Sequence, residues 1–241
     1  MPIVEIAFLI VRDCPTTMIE DADFLAPRRC MREPISEIFD AASLLNSATD
    51  AHLTGDRATA DRLLRAANMP VLRAWIESLI GSKIANPDQS KYHRSRKIPD
   101  APPTLEKAQR IKKREPSREE RRLIIQRYGR NCVFCGIPVI SDQVRKAFNR
   151  AYPDAAPWGR TNSSRHAAFQ CMWMQFDHVL PHSRGGDNSI DNVVVTCAPC
   201  NYGRMQWTLE EVGLVDPRKV PIQKTAWDGL ERLFASTPQA R

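Results

Sequence analysis

Hydrophobic residues in the first third of the chain recur at helical spacing. Intervals of three and four residues in EIFDAASLLNSATDAHL place its apolar residues on one face of a helix. These residues are Ile38, Ala41, Leu44 and Leu45. TGDRATADRLLRAAN repeats the spacing after a cap at Thr54, and PVLRAWIESLIG places a proline in a first helical turn and stops at Gly81. The pattern predicts a helical N-terminal domain over residues 1–86, which opens with IVEIAFLIV, a strand or core helix.

The pattern changes after this domain, where prolines and basic residues replace the apolar ones. Residues 87–116 therefore predict a basic linker, in which residues 104–114 form a short helix. SREERRLIIQRYG then predicts a helix capped by Ser117, because Glu120 falls at the spacing of a capping box. The helix leads directly into NCVFCG.

Two strand-like segments surround a loop of turn-forming residues further along. FDHVL alternates as a short strand, PHSRGGDN forms a loop, and NVVVTC is a second, β-branched strand. NYGRMQ then opens a helix. This order, following a helical domain, predicts an α+β fold.

The regions on either side of this unit give weaker patterns. VRKAFNRAY predicts a helix with Arg145, Lys146 and Arg150 exposed, and FQCMWM predicts a core strand. TLEEVG predicts a short capped helix. A final helix packs on the core through an apolar face, which contains Trp227, Leu230, Leu233 and Phe234.

The distribution of charge limits the classes of binding partner that the chain can have. The net charge is +7, and residues 91–122 contain 12 Lys/Arg against 5 Asp/Glu. This basic cluster, with Lys112, Lys113 and Arg114, is either a solvated face or a contact with the phosphate backbone of a nucleic acid. No apolar run approaches the roughly 20 residues of a membrane helix, and the opening lacks the basic stretch of a signal peptide. We therefore expect a cytoplasmic protein with no membrane partner.

The cysteines carry the strongest chemical signal. Their number is seven, and an odd number without a secretory signal argues against a disulfide framework. Four form two C-x-x-C pairs: Cys132, Cys135, Cys197 and Cys200. Two such pairs complete a closed tetrahedral site for a structural Zn²⁺, and the sequence between them leaves room for a functional element. The alternatives are four unconnected core cysteines or a redox pair, for which no thioredoxin-like context is present.

The residues between the strands and the last pair form a longer pattern. It reads D-H-V-x-P-x-S-x-G-G-x-x-S-x-x-N-x-V-x-x-C-x-x-C-N-x-x-R from Asp177 to Arg204. This pattern resembles the HNH endonucleases, which belong to the ββα-metal nucleases. The resemblance covers about residues 117–213. It implies a zinc-stapled ββα-metal nuclease domain over residues 117–241, with a C-terminal helical extension.

The resemblance also implies a role for individual residues. Asp177 and Asn201 would hold a catalytic Mg²⁺ or Mn²⁺, cations that prefer oxygen ligands. His178 would be the general base that activates water. Asn192 would tie down the loop and orient His178, and Arg204 would contact the scissile phosphate. Many relatives have histidine at the position of Asn201, so the resemblance makes the chain an H-N-N variant, in which an amide oxygen remains compatible with Mg²⁺.

Further basic residues suit a nucleic-acid surface, although packing on the core suits them equally. Arg160 and Arg165 lie near Trp158 in one loop, and His182 and Arg184 lie in the loop between the strands.

The resemblance implies a metal-dependent endonuclease that nicks or cuts DNA, which we expect to be double-stranded, and that leaves a 5′ phosphate and a 3′ hydroxyl. Bacterial or phage defence or restriction is the expected setting, and the chain acts as a monomer or homodimer. One alternative is a non-catalytic, zinc-stapled DNA-binding module, which the asparagine at position 201 supports. Another is a nuclease effector that a protein partner recruits through the N-terminal domain.

Overall fold

A computed structural model describes residues 26–80 and 95–235. The described chain is α+β, as predicted. It contains a two-stranded sheet among helices. The opening IVEIAFLIV and Cys14 lie outside the described residues. Within the described part, no helix is both long and apolar enough to cross a membrane.

Three helices form the N-terminal part. Helix α1 spans Ser36–Leu53, α2 spans Arg57–Ala67 and α3 spans Pro70–Ile80. The apolar residues at helical spacing are buried as predicted, including Ile38, Leu45 and Leu64. The cap of α2 differs from the prediction. Asp56 caps this helix by accepting a hydrogen bond from the Thr59 amide, while Thr54 ends α1. Thr54 is displaced because Gly55, in the left-handed region, turns the chain between them.

The remaining helices and the strands follow in chain order. Helix α4 spans Arg118–Tyr128, with the predicted capping box between Ser117 and Glu120. Helix α5 spans Asp142–Ala151 and α6 spans Ala167–Cys171. Strand β1 spans Met174–His178, β2 spans Val193–Cys197 and α7 spans Ala198–Arg204.

The two strands form an antiparallel hairpin whose register places the candidate residues at the end that the connecting loop joins. Asp177 pairs with Val194 and His178 with Val193, while Met174 pairs with Cys197 at the opposite end. Every residue of β2 is buried, because α4 covers the hairpin and α7 packs on both strands.

The N-terminal helices share one hydrophobic core with the hairpin. Helix α3 packs against α6 and α7. A Cβ added at Gly203 of α7 would meet the Leu79 side chain of α3 at 3.4 Å. Polar contacts reinforce this packing, since His52 Nδ1 lies 2.8 Å from the Tyr152 hydroxyl. The division into domains at residues 86 and 116 stays a prediction.

Several predicted elements differ from the structure. FQCMWM is not one strand: α6 covers its first part and β1 begins at Met174. The segment is buried almost throughout, and a short, mostly apolar run does not distinguish a helix from a strand. Residues 104–114 form only one 3₁₀ turn, at Lys107–Gln109. TLEEVG is a set of turns, and the final helix is a 3₁₀ turn at Glu231–Phe234.

The predicted exposure of Arg145 is also wrong. Its guanidinium is buried, pairs with Asp142 and lies over the Trp158 ring at 4.0 Å from the centroid. A planar cation stacks well on an indole face, so Arg145 packs inward while its neighbour Lys146 stays exposed.

Residues 95–116 have little regular structure but lie along the rest of the protein. We call this segment the strap. Its first described residues attach to the end of the candidate unit, since the Arg96 amide donates to the Glu211 carbonyl at 2.8 Å. At its other end, Pro116 is buried just before α4.

His166 joins α2 to α6 as a neutral, buried side chain. Its Nε2 lies 2.8 Å from the Leu64 carbonyl, and its Nδ1 accepts a hydrogen bond from the Phe169 amide. A neutral imidazole with its proton on Nε2 satisfies both contacts, whereas a second proton on Nδ1 would face the amide hydrogen. Burial lowers the pKa of His166 from 6.5 to about 4.

We expect acid to destabilise the fold through His166. Its folded pKa lies below its unfolded pKa, so the unfolded chain binds the proton first. The stability is complete above pH 6.5 and is lost as the pH falls towards 4. Urea unfolding should show a loss of about 2 kcal/mol from this group between pH 7 and pH 5. In His166→Gln the decrease should be smaller by that amount, and equal pH dependence of the two proteins would contradict the assignment.

Candidate metal centre and catalytic hairpin

The four cysteines of the C-x-x-C pairs converge in space. The Sγ atoms of Cys132, Cys135, Cys197 and Cys200 all lie within 4.8 Å of one another. A tetrahedron with Zn–S bonds of about 2.3 Å places its sulfurs about 3.8 Å apart, and Cys135 Sγ lies 3.6 Å from Cys197 Sγ. Within the described residues, this is the one group of three or more His, Cys, Asp or Glu side chains that could hold a metal ion.

The chemistry of the cluster also suits a bound cation. Burial raises the pKa of Cys197 to about 11, so in the absence of a cation this thiol would keep its proton at neutral pH. A bound Zn²⁺ favours the thiolate and compensates its charge. The four cysteines therefore fit a structural zinc site, and all four ligand positions would be occupied by protein.

This cluster connects three parts of the fold. The first pair lies on a turn that ends at Gly136 in the left-handed region, and the Val133 amide donates to the Val195 carbonyl of β2 at 3.0 Å. Cys197 ends β2, and Cys200 lies in the first turn of α7. A metal held by these four cysteines would fix the angle between the hairpin and α7.

Asp177 and Arg204 form a buried ion pair between β1 and α7. The Arg204 side chain is 1% exposed and that of Asp177 is 7% exposed. Arg204 Nη2 donates to Asp177 Oδ1 at 2.5 Å and Nε donates to Oδ2 at 3.0 Å. The same guanidinium donates to the carbonyls of His178 and Trp207. The Arg204 guanidinium therefore binds the Asp177 carboxylate and the backbone at the end of β1.

His178 ends β1 with its ring against the loop that follows. Its Nε2 lies 2.8 Å from Asn188 Oδ1, and its ring centroid lies 5.8 Å from that of His182. Burial lowers the pKa of His178 below its ordinary 6.5, so the imidazole is neutral at pH 7. Burial also raises the pKa of Asp177, which the Arg204 charge opposes.

Asn192 closes the loop between the strands. Its Oδ1 accepts from the Leu180 amide at 2.8 Å, and its Nδ2 donates to the carbonyls of Leu180 and Asp187. Gly186 fits into the same closure: a Cβ there would lie 1.8 Å from the Leu180 carbonyl oxygen. We call residues 179–191 the catalytic loop. The Asn192 side chain closes this loop, and the closure leaves no space for a side chain at position 186.

Asn201 lies one turn before Arg204 on α7. Residues three apart lie near one another on a helix, so Asn201 lies on the same side of α7 as Arg204, which pairs with Asp177. A carboxylate and an amide oxygen suit a small, hard cation. Each Asp177 oxygen already accepts one hydrogen bond from Arg204, but a carboxylate oxygen has a second lone pair for a metal.

The predicted nucleic-acid residues separate into two groups. Lys112, Lys113, Arg114 and Arg160 are exposed, and Lys113 pairs with Glu120 at 3.2 Å on the surface. The others are less exposed and bond to protein: Arg184 pairs with Glu211 at 3.0 Å with both side chains buried, and Arg165 donates to the Gly159 carbonyl and lies over Trp158. His182 Nε2 lies 2.7 Å from the Ile111 carbonyl of the strap.

Comparison with known families agrees with this geometry. Residues 169–211 match the family model described as HNH endonuclease. The matched segment contains the hairpin, the second cysteine pair and α7, and it confirms the resemblance seen in the sequence. No curated protein and no solved structure matches the chain. The match to the HNH endonucleases suggests that the chain is a nuclease.

Sequence reasoning missed two features of this site. It treated Asn188 as a turn residue, whereas its amide contacts His178 and the strap. It also gave no role to Glu211, which is the partner of Arg184 and which accepts from the Thr208 amide. The spacing T-x-x-E at 208–211 is a capping-box signal that indicates the second of these contacts.

We expect the chain to bind about one zinc ion through this cluster. Cys197→Ser should lose the zinc and lower the melting temperature by roughly 10 °C, the shift for a loss of about 3–5 kcal/mol in a chain of this size. Metal analysis and thermal unfolding measure both effects. Cys171→Ala is the matched control, because Cys171 is a fully buried thiol outside the cluster. Unchanged zinc content in Cys197→Ser would contradict the site.

Proposed function

We propose that the chain is a metal-dependent endonuclease that hydrolyses phosphodiester bonds in DNA. The observation that carries this proposal is the placement of Asp177 and His178 at the loop end of the hairpin, with Asp177 paired to Arg204 of α7, inside the segment that matches the HNH endonucleases. The cation would be Mg²⁺ or Mn²⁺, held by Asp177 and Asn201. It would stabilise the charge on the leaving 3′ oxygen when bound.

The residues of the chain would divide the remaining work. His178, neutral at pH 7, takes a proton from the water that attacks phosphorus. The bond to the 3′ oxygen breaks and this oxygen takes a proton from solvent, which gives a 5′ phosphate and a 3′ hydroxyl. Asn192 keeps the catalytic loop closed beside it. Arg204 was assigned to the scissile phosphate from the sequence, but its contacts favour a different role. It orients the Asp177 carboxylate and compensates its charge.

The substrate we propose is double-stranded DNA. The exposed side chains of Lys112, Lys113 and Arg114 would neutralise backbone phosphates. Such contacts release counterions from DNA, so the affinity for DNA should fall as the salt concentration increases. One catalytic hairpin in a monomer would cut one strand, and a double-strand break would need a homodimer or two nicks. The reduced cysteine cluster favours a reducing compartment such as the cytoplasm. Defence against foreign DNA, or restriction, is the setting that we favour.

One observation favours a second function, a non-catalytic DNA-binding module. Both oxygens of Asp177 accept hydrogen bonds from Arg204, and a buried ion pair of this kind competes with a cation for the carboxylate.

We further propose that the N-terminal helices recruit the chain to a protein partner.

A supercoiled plasmid separates the two functions. With Mg²⁺ or Mn²⁺ the zinc-loaded protein should produce open circles, and EDTA should stop the reaction. His178→Ala should lower the rate by about 100-fold or more, the contribution typical of a general base, while plasmid binding stays unchanged. His52→Ala is the control, because His52 is a histidine of α1 that contacts Tyr152. Plasmid binding without cleavage by the wild-type protein would favour the module.

A further inference from the structure

The strap contacts the catalytic loop at successive points. The Leu105 amide donates to the Ser183 carbonyl at 2.8 Å, and Arg184 donates to the Pro102 carbonyl. Further along the strap, the carbonyl of Ile111 meets His182, and Asn188 Nδ2 donates to the Lys113 carbonyl at 2.8 Å. The predicted linker is therefore attached along the loop that follows His178.

Asn188 is the point at which this attachment reaches the catalytic histidine. Its amide has one oxygen and one NH₂ group. The Lys113 carbonyl only accepts hydrogen bonds, so the NH₂ group has to face the strap. The oxygen then has to face His178, which fixes the direction of the second bond: His178 Nε2 is the donor and Asn188 Oδ1 is the acceptor.

The direction of this bond determines the tautomer of His178. A neutral imidazole carries one proton, and Asn188 holds it on Nε2. The lone pair is then on Nδ1, which no protein donor contacts within the described part of the chain. In this state Nδ1 is the nitrogen that can take a proton from water.

Asn188 has no comparable task in closing the loop. Asn192 makes the cross-loop bonds, and Asp187 accepts from both the amide and the hydroxyl of Ser189. The two hydrogen bonds of the Asn188 side chain lead only to His178 and to the strap.

We infer that Asn188 is a positioning residue through which the docked strap holds His178 in the Nε2–H tautomer, with Nδ1 ready to act as the base. This inference rests on the proposed function only in the role that it gives to His178. The strap then has two roles. It keeps His178 in the tautomer that can act as a base, and it presents Lys112, Lys113 and Arg114 to a DNA backbone.

The tautomer is measurable without any activity. The chain contains five histidines, and ¹⁵N-histidine labelling with long-range ¹H–¹⁵N spectra distinguishes Nε2–H from Nδ1–H. Loss of a signal in His178→Ala assigns the residue. In the zinc-loaded wild-type chain at pH 7, His178 should give the Nε2–H signature. In Asn188→Ala the signal should move to that of exchanging tautomers.

Kinetics on a plasmid provide the second readout. Asn188→Ala should lower kcat by about 10- to 100-fold, less than the loss of the base itself, while KM stays within about threefold because the basic side chains of the strap are retained. Asn149→Ala is the matched control: Asn149 Nδ2 also donates to a loop carbonyl, that of Ala156. It should change neither kcat nor the His178 signal.

A strap variant tests the connection from the other side. The Arg110 guanidinium donates twice to the Leu105 carbonyl and so holds the strap in its turn. Arg110→Ala should lower kcat at saturating substrate and shift the His178 signal in the same direction. If both residues act through one connection, Arg110→Ala together with Asn188→Ala should cost no more than Asn188→Ala alone.

Two results would overturn the inference. One is an unchanged Nε2–H signature of His178 in Asn188→Ala, and the other is full additivity of the two variants in kcat. Absence of cleavage by the wild-type chain would overturn the proposed function. The NMR readout would remain valid in that case, since a tautomer change in Asn188→Ala and Arg110→Ala supports the connection in a binding module as well.

Discussion

The buried ion pair between Arg204 and Asp177 is the contact on which the candidate site depends. Removing two charges from water is costly, and mutual attraction offsets that cost only when the remaining donors are also satisfied. Arg204 meets this condition by donating to both carboxylate oxygens and to the carbonyls of His178 and Trp207. One side chain therefore connects the end of β1, the helix that follows β2 and the turn beyond it. Loss of either partner would leave a buried charge without compensation, so the pair holds β1 and α7 in one relative position.

Much of the hairpin could be predicted from the sequence, because its signals are local. The β-branched run at 193–197, the capping box at Ser117 and the two C-x-x-C pairs each specify their own structure within a few residues. The roles of Arg145, Arg184 and Arg204 could not be predicted. A basic residue on a predicted helix or loop is ordinarily solvated, and only the tertiary structure brings Trp158, Glu211 and Asp177 against these three guanidinium groups.

The strap shows the same limit more clearly. Its composition predicts a linker because it has few apolar side chains to bury. The structure attaches it through backbone groups instead, at Leu105, Ile111 and Lys113. Every residue type has these groups, so no residue pattern marks them. FQCMWM fails for the opposite reason: it is apolar except for the buried Gln170, and burial on nearly all sides removes the periodicity that distinguishes a helix from a strand.

The closure of the catalytic loop around Gly186 separates residues that can vary from residues that cannot. A methyl group at this position would overlap the Leu180 carbonyl and would also meet Asn192 Nδ2 at 2.8 Å. Ile190, by contrast, presents an exposed side chain from the same loop, whereas Asp187 and Ser189 bond to each other. A library that probes the proposed DNA contact of this loop should therefore diversify Ile190 and keep Gly186, Asn192 and the Asp187–Ser189 pair fixed. The loop then combines a tightly packed frame with an exposed position that can change without disturbing the frame.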